Sequence, residues 1–154
     1  MPTPTGQSGI LLTPAKQGEK RVALVIVVSD YIKSGGAQSL PGARKDAKRI
    51  ASAFTNAGFE TEVALDLSLD QMRDKLTSFR VTSLTSDWAA IYTTGHGVEV
   101  NGTVFLLPGD YPITERNSAI KARALPLPEI AQTPSAKQAN LIFYAGCRDN
   151  PFDR

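Results

Sequence analysis

Four apolar stretches of the chain have the length and the residue types of β-strands. Residues 22–28 form a continuous run rich in Val, the pattern of a strand that is buried on both faces of a sheet. Residues 59–65 predict a half-exposed second strand, and residues 87–94 and 139–144 predict the third and fourth. Helical patterns separate the first three strands, and this alternation predicts a mainly parallel sheet with helices on both faces.

Residue spacing predicts the two helices. The first helix has five apolar residues on one face and ends before Gly58, which favours a left-handed conformation. These five residues are Ala43, Ala47, Ile50, Ala51 and Phe54. The second helix is predicted over residues 69–80, where Ser68 and Gln71 have the spacing of a capping box and apolar residues follow at helical steps.

The segment between the third and fourth strands is less regular. Asn101 and Gly102 lie between two short apolar arms, which predicts a β-hairpin over residues 98–107. Residues 108–119 are predicted to form a loop. Prolines interrupt the helical pattern that follows, so only a short helix is predicted, over residues 127–132.

Composition agrees with one folded domain. The chain has 154 residues, of which 42% are hydrophobic, and this length is enough to bury a core. Residues 1–19 are rich in Pro, Thr, Gly and Ser and have no apolar period. They are therefore predicted to be a flexible N-terminal arm, followed by a domain over residues 20–154.

The net charge, and the lack of a secretory signal or a membrane-spanning run in this sequence, exclude several classes of function. The net charge is only +2, which gives no reason to expect a nucleic acid or an anionic membrane as a partner. The sequence has no secretory signal and no apolar run near the roughly 18 residues that span a bilayer. The single Cys cannot form an internal disulfide, which favours a reducing compartment, so a cytoplasmic protein is expected.

The only His and the only Cys of the chain each follow a predicted strand closely. His96 comes after the third strand and Cys147 after the fourth. The carboxyl ends of parallel strands meet at one edge of a sheet, where ligands and chemistry collect. Because a thiol needs an adjacent base to act as a nucleophile, the pair suggests a Cys/His hydrolase. The alternative is a buried structural Cys and a structural or surface His.

Several short motifs occur in a fixed order along the chain. They are residues 22–31, 46–47, 58–59, 87–92, 94–97, 100–102, 106–110 and 147–152. Together they resemble the large-subunit half of a caspase-like peptidase, and are most similar to those of the bacterial orthocaspases and metacaspases. Cys147 follows His96 by 51 residues, which is near the caspase spacing of about 50.

The resemblance implies the caspase-hemoglobinase α/β fold, with a hairpin after the catalytic His, and a cysteine endopeptidase that acts on polypeptides. Cys147 would be the nucleophile, His96 the general base and then the acid, and the backbone N–H groups of Gly97 and Cys147 the oxyanion hole. Each such donor typically contributes about 10²- to 10³-fold to the rate. Some metacaspases bind calcium, but Glu99 and Asp110 are too scattered to make a site, so no metal or cofactor is predicted.

The resemblance also bears on specificity. Asp46 occupies the place of an Asp that helps metacaspases to bind a basic P1 side chain, so Arg or Lys is predicted at P1. The alternative is a solvated acid that the helix dipole favours. The family commonly has Asp two residues before the nucleophile, where this chain has Ala145. Aspartate is not expected at P1, because Arg44 does not fall where the helix-one arginine of caspases would.

Caspase-like folds continue beyond the nucleophile with a small-subunit half, which this sequence lacks. One hypothesis is that the chain is the large fragment of a self-processed precursor cut after Arg154, with the small-subunit fragment as its partner. The alternative is a truncated gene or an arbitrary end. Two other functions stay open: a catalytically silent caspase homologue that acts as a regulatory or interaction module, and a Cys-dependent hydrolase of small molecules.

Overall fold

The computed structural model describes residues 13–31 and 39–146. Cys147 and Arg154 lie outside the described residues, as does most of the predicted N-terminal arm. Residues 13–20 contain a turn, and the chain enters the sheet at Arg21. In chain order the elements are β1 Arg21–Val27, α1 Pro41–Asn56, β2 Phe59–Leu65, α2 Leu69–Leu84, β3 Trp88–Thr94, β4 Gly97–Val100, β5 Thr103–Leu106, a 3₁₀-helix Ile113–Ala119, α3 Ile120–Arg123, β6 Leu125–Pro126, α4 Leu127–Ala131 and β7 Ala139–Tyr144.

The predicted parallel sheet is confirmed. Its strands lie in the order β2-β1-β3-β7, and every neighbouring pair is parallel. β1 is an inner strand that is buried at all of its positions, which explains its continuous apolar sequence. β7 lies at one edge of this sheet.

Each face of the sheet carries its own apolar core. Side chains alternate between the two faces along β1. Ala23, Val25 and Val27 therefore pack on the side of α1, where Phe54 belongs to the same core. The side chains between them face the core that contains Met72 of α2. The helices cover both faces of the sheet, as the sequence predicts.

Both long helices are confirmed, and α2 begins at the predicted residue, Leu69, but ends later than predicted. Ser68 and Gln71 form the predicted capping box, with Gln71 N donating to Ser68 Oγ at 3.2 Å. The predicted end at residue 80 is wrong, because α2 continues to Leu84. Ser83 continues its buried face: it is fully buried, and its hydroxyl donates to Arg80 O at 2.8 Å. The prediction follows the spacing of apolar residues, and Ser83 is polar, so the predicted buried face ends too early.

The β-hairpin after β3 is confirmed, whereas the segment that follows it is more ordered than predicted. Asn101 and Gly102 have φ angles of 49° and 81°, as a two-residue type I′ turn between β4 and β5 requires. The predicted loop contains a 3₁₀-helix, and α3 follows it. The short strand β6 was not predicted: it pairs antiparallel with β5, with Leu125 opposite Leu106. The predicted short helix near residues 127–132 is confirmed as α4.

Candidate active site

The carboxyl ends of β1, β3 and β7 lie side by side, and their pairing continues beyond the strands. Val28 N donates to Thr94 O at 3.0 Å on one side of β3. On the other side Ala145 N donates to Thr93 O at 3.0 Å, and Thr94 Oγ1 donates to Ala145 O at 2.6 Å. Partner residues of β3 and β7 differ by 51 residues along the whole pair.

The backbone at His96 is held from both sides. Leu107 N donates to His96 O at 2.9 Å, so the end of β5 fixes the His loop from the hairpin. The preceding residue, Gly95, allows a close approach: a Cβ atom there would lie 2.9 Å from Tyr31 Oη and 3.0 Å from Leu106 Cδ1. A larger residue at position 95 would therefore displace the tyrosine or the loop. The imidazole itself is half-buried.

Tyr31 contacts both the backbone and the ring of His96. Its hydroxyl accepts from His96 N at 2.9 Å and donates to Leu107 O at 3.1 Å. The two ring centroids are 4.8 Å apart, with the planes tilted by 52°. Burial raises the pKa of the Tyr31 hydroxyl well above its ordinary value, and the bond from His96 N only partly opposes this shift. The hydroxyl therefore stays protonated and remains a donor.

Asp66, which directly follows β2, binds the segment that leads to Tyr31. Its Oδ1 accepts from Ser29 N at 2.7 Å and from Asp30 N at 3.0 Å, and its other oxygen pairs with Arg44. Burial alone would raise the pKa of Asp66, but these N–H groups and the guanidinium together hold it below its ordinary value. Arg44 also donates from Nε to Ser29 Oγ at 2.9 Å, so its guanidinium is already engaged.

Sequence patterns do not single out Tyr31 or Asp66 as site residues. The contacts that give them a role join residues 65 and 37 positions apart, between Tyr31 and His96 and between Ser29 and Asp66. The one local signal for Asp66 is an acid at a strand end, just before the capping box at Ser68. The strand order of the sheet, and not local sequence, brings these side chains together.

The structure places Asp46 on the exposed surface of α1, beside an apolar groove. The groove lies between α1 and the edge of β7, and its lining includes Ile50, Ala53, Tyr92 and Ala145. Asp46 lies one and two helical turns before Ile50 and Ala53, so it extends their line along the helix. Burial, and next the charge of the Asp46 carboxylate, raise the pKa of Tyr92, which is one of the residues that line the groove.

The residues before Cys147 fit tightly. Gly146 lies against Tyr144, and a Cβ atom at position 146 would overlap the tyrosine ring. Ala145, which stands where the family commonly has Asp, is exposed. Cys147 and its N–H group lie outside the described residues, and the structure therefore leaves their predicted roles untested.

The acids that the sequence analysis considered for calcium are not grouped. Asp110 Oδ1 accepts from Leu69 N at 3.0 Å, so this carboxylate caps the start of α2. Glu99 is exposed on β4. Within residues 13–31 and 39–146, no three His, Cys, Asp or Glu side chains are placed to hold a metal ion. In the same part of the chain, no helix is long and apolar enough to cross a membrane.

The fold and the strand-end geometry define an α/β protein whose candidate active site lies at the carboxyl edge of a parallel sheet, where a following hairpin binds the backbone of His96. A comparison of the sequence with models of protein families identifies the family of the chain: the model described as Caspase domain matches residues 20–154. The chain therefore belongs to the caspase-domain family, whose members are cysteine peptidases. No curated protein matches the chain.

Proposed function

We propose that this protein is a cysteine endopeptidase in which Cys147 and His96 form the catalytic dyad. His96 takes the proton of the Cys147 thiol, and the thiolate sulfur attacks the scissile carbonyl carbon. The protonated imidazole then gives this proton to the leaving amine, which leaves an acyl-enzyme on the sulfur. Water, with its proton taken by His96, releases the acyl group and restores the thiol.

The register between β3 and β7 is the observation that carries this proposal. Partner residues on these strands differ by 51 up to Thr93 and Tyr144, and just beyond them the Thr94 hydroxyl donates to Ala145 O, which joins a pair with the same offset. His96 and Cys147 also differ by 51, and each follows that pair by two residues. Continuing the register would direct the imidazole and the thiol to neighbouring positions at the same edge of the sheet.

For the oxyanion hole we propose the N–H groups of Gly97 and Cys147. The bond from Leu107 N to His96 O makes these residues a hydrogen-bonded pair of the hairpin. Bonded and non-bonded pairs alternate along an antiparallel ladder, so Gly97 and Leu106 form a non-bonded pair. The N–H of Gly97 then points away from β5, which leaves it for a ligand.

We assign the preference for Arg or Lys at P1 to Asp46. Its carboxylate is exposed beside the groove and, among the described residues, has no ion pair that a substrate cation would need to displace. A guanidinium or an ammonium ion is the charge partner that such a carboxylate favours. Arg44 is a poor receptor for an acidic P1 side chain, because Asp66 already pairs with it.

The edge of β7 supports the proposed partner, a small-subunit fragment of the same precursor. This edge strand and the apolar groove beside it offer backbone groups and apolar surface that two further strands would cover. We extend the assignment to the orthocaspase and metacaspase subtype, and to a cytoplasmic location, on the sequence resemblance and the single Cys.

The second candidate is a catalytically silent homologue that acts as a regulatory or interaction module. Ala145 favours it, because this exposed position carries no carboxylate where the family commonly has one. An interaction module would bind peptides without cleaving them, so the two candidates differ in turnover.

A panel of fluorogenic peptides that differ only at P1 separates these functions. The protein is assayed with any polypeptide that its gene encodes after Arg154, with and without calcium. We expect turnover of the Arg and Lys peptides, little turnover of the Asp and Leu peptides, and none in Cys147→Ala. Asp46→Asn should lower kcat/KM for the basic peptides by about 10- to 100-fold, since a charged hydrogen bond is lost.

The control for Asp46 is Asp74→Asn, which removes an exposed carboxylate from α2, on the other side of the sheet. Its kcat/KM should stay within about twofold of the wild type. A folded wild-type protein that cleaves no peptide would favour the silent module. Equal effects of the two Asn variants would remove Asp46 from the P1 site.

A further inference from the structure

We infer that Tyr31 is a positioning residue for His96, whose backbone and imidazole it holds in one arrangement at the end of the sheet. The inference rests on the proposed function, in which His96 is the general base. It concerns the orientation of that base, and Tyr31 itself takes no proton from the substrate or the thiol.

The hydroxyl of Tyr31 is inserted into the end of the β4–β5 ladder. In a hydrogen-bonded antiparallel pair, the two residues exchange both of their backbone bonds. Leu107 N donates to His96 O, but His96 N donates to Tyr31 Oη at 2.9 Å, and Tyr31 Oη donates on to Leu107 O at 3.1 Å. The hydroxyl thus bridges the second bond of the pair and holds the ladder open at His96.

The ring of Tyr31 is fixed as firmly as its hydroxyl. The side chain is completely buried, and its ring lies against the imidazole with centroids 4.8 Å apart. Gly95 leaves the space that the hydroxyl fills. On the other side, Asp66 binds the N–H groups of Ser29 and Asp30, which lead directly into Tyr31. The position of the phenol is therefore set independently of any substrate.

Removing only the hydroxyl tests this role. In Tyr31→Phe the ring stays, but His96 N and Leu107 O lose their bridging partner. We expect kcat to fall by about 10- to 100-fold with KM within about twofold, because a small misplacement of a catalytic group costs rate and not substrate binding. The matched control is Tyr111→Phe, which removes the hydroxyl of another completely buried tyrosine, one that donates to Arg116 O. Its kcat should stay within twofold of the wild type.

A second measurement does not depend on activity. Because the chain has one His, the imidazole Cε1–H group gives a single NMR signal to follow. Tyr31→Phe should shift, broaden or split this signal, and Tyr111→Phe should leave it unchanged. An imidazole signal that does not respond to Tyr31→Phe, or an active Tyr31→Phe enzyme with wild-type kcat, would overturn the inference. If the wild-type protein shows no turnover but Tyr31→Phe still changes the imidazole signal, the positioning role is upheld and the proposed function is contradicted.

Discussion

At the scale of single residues, the candidate site depends on one carboxylate that holds several segments together. Asp66 directly follows β2. Its carboxylate accepts hydrogen bonds from the N–H groups of Ser29 and Asp30, which follow β1, and pairs with Arg44 of α1. Because Tyr31 comes directly after Asp30, this carboxylate also fixes the start of the contact with His96. The charge on Asp66 should therefore be visible in the stability of the protein.

Asp66→Asn keeps the shape of the side chain and removes its charge. The folded-state pKa of Asp66 lies below its ordinary value of 3.8, so the ionised carboxylate stabilises the fold above that pH. This contribution is lost as the pH falls through the folded-state pKa. We expect urea denaturation to show a free energy of unfolding about 1 kcal/mol lower for Asp66→Asn at pH 7.

The pH dependence makes this prediction specific. The difference between Asp66→Asn and the wild type should stay constant down to about pH 4 and shrink at lower pH. Asp74→Asn, which changes an exposed acid on α2, should have nearly the wild-type free energy of unfolding both at pH 7 and at pH 3. A deficit in Asp66→Asn that is equally large at pH 7 and at pH 3 would mean that the charge is not responsible.

At the scale of elements, burial decides which features the sequence reveals. β1 is buried on both faces and β3 is nearly so, and their apolar runs predict them with almost correct bounds. β6 has only two residues and exists because it pairs with β5, about 20 positions away, so no local pattern indicates it. The spacing of apolar residues does not predict the last turn of α2, because the buried residue in that turn is the polar Ser83.

Ser83 supports this last turn through its hydroxyl, which donates to Arg80 O and accepts from Ser135 N at 2.9 Å. Ser83→Ala should lower the free energy of unfolding by about 1–3 kcal/mol, because the N–H of Ser135 loses its acceptor. Ser78→Ala, on the exposed side of α2, is the control and should change it by less than about 0.5 kcal/mol. The single Trp, Trp88, reports unfolding by fluorescence. Equal stabilities of the two variants would contradict this role of Ser83.

At the scale of the whole molecule, the strand order creates the site. The sequence alone identifies His96 and Cys147 as candidate catalytic residues, because each is the only residue of its type and each follows a predicted strand. It does not reveal that β3 and β7 are neighbours with a constant offset of 51 residues, since register depends on pairing across the sheet. The same holds for Tyr31, which reaches His96 only because β1 lies next to β3.

Covalent labelling tests the proposed dyad most directly. The chain has one Cys, so mass spectrometry can count the adducts of a peptidyl acyloxymethyl ketone that carries Arg at P1. We predict one adduct, on Cys147, formed at least about 100-fold faster in the wild type than in His96→Ala, because the imidazole activates the thiol. Fluorescence of Trp88 checks that the variant is folded. Labelling of His96→Ala within about threefold of the wild-type rate, or a folded wild type that is not labelled, would contradict the account.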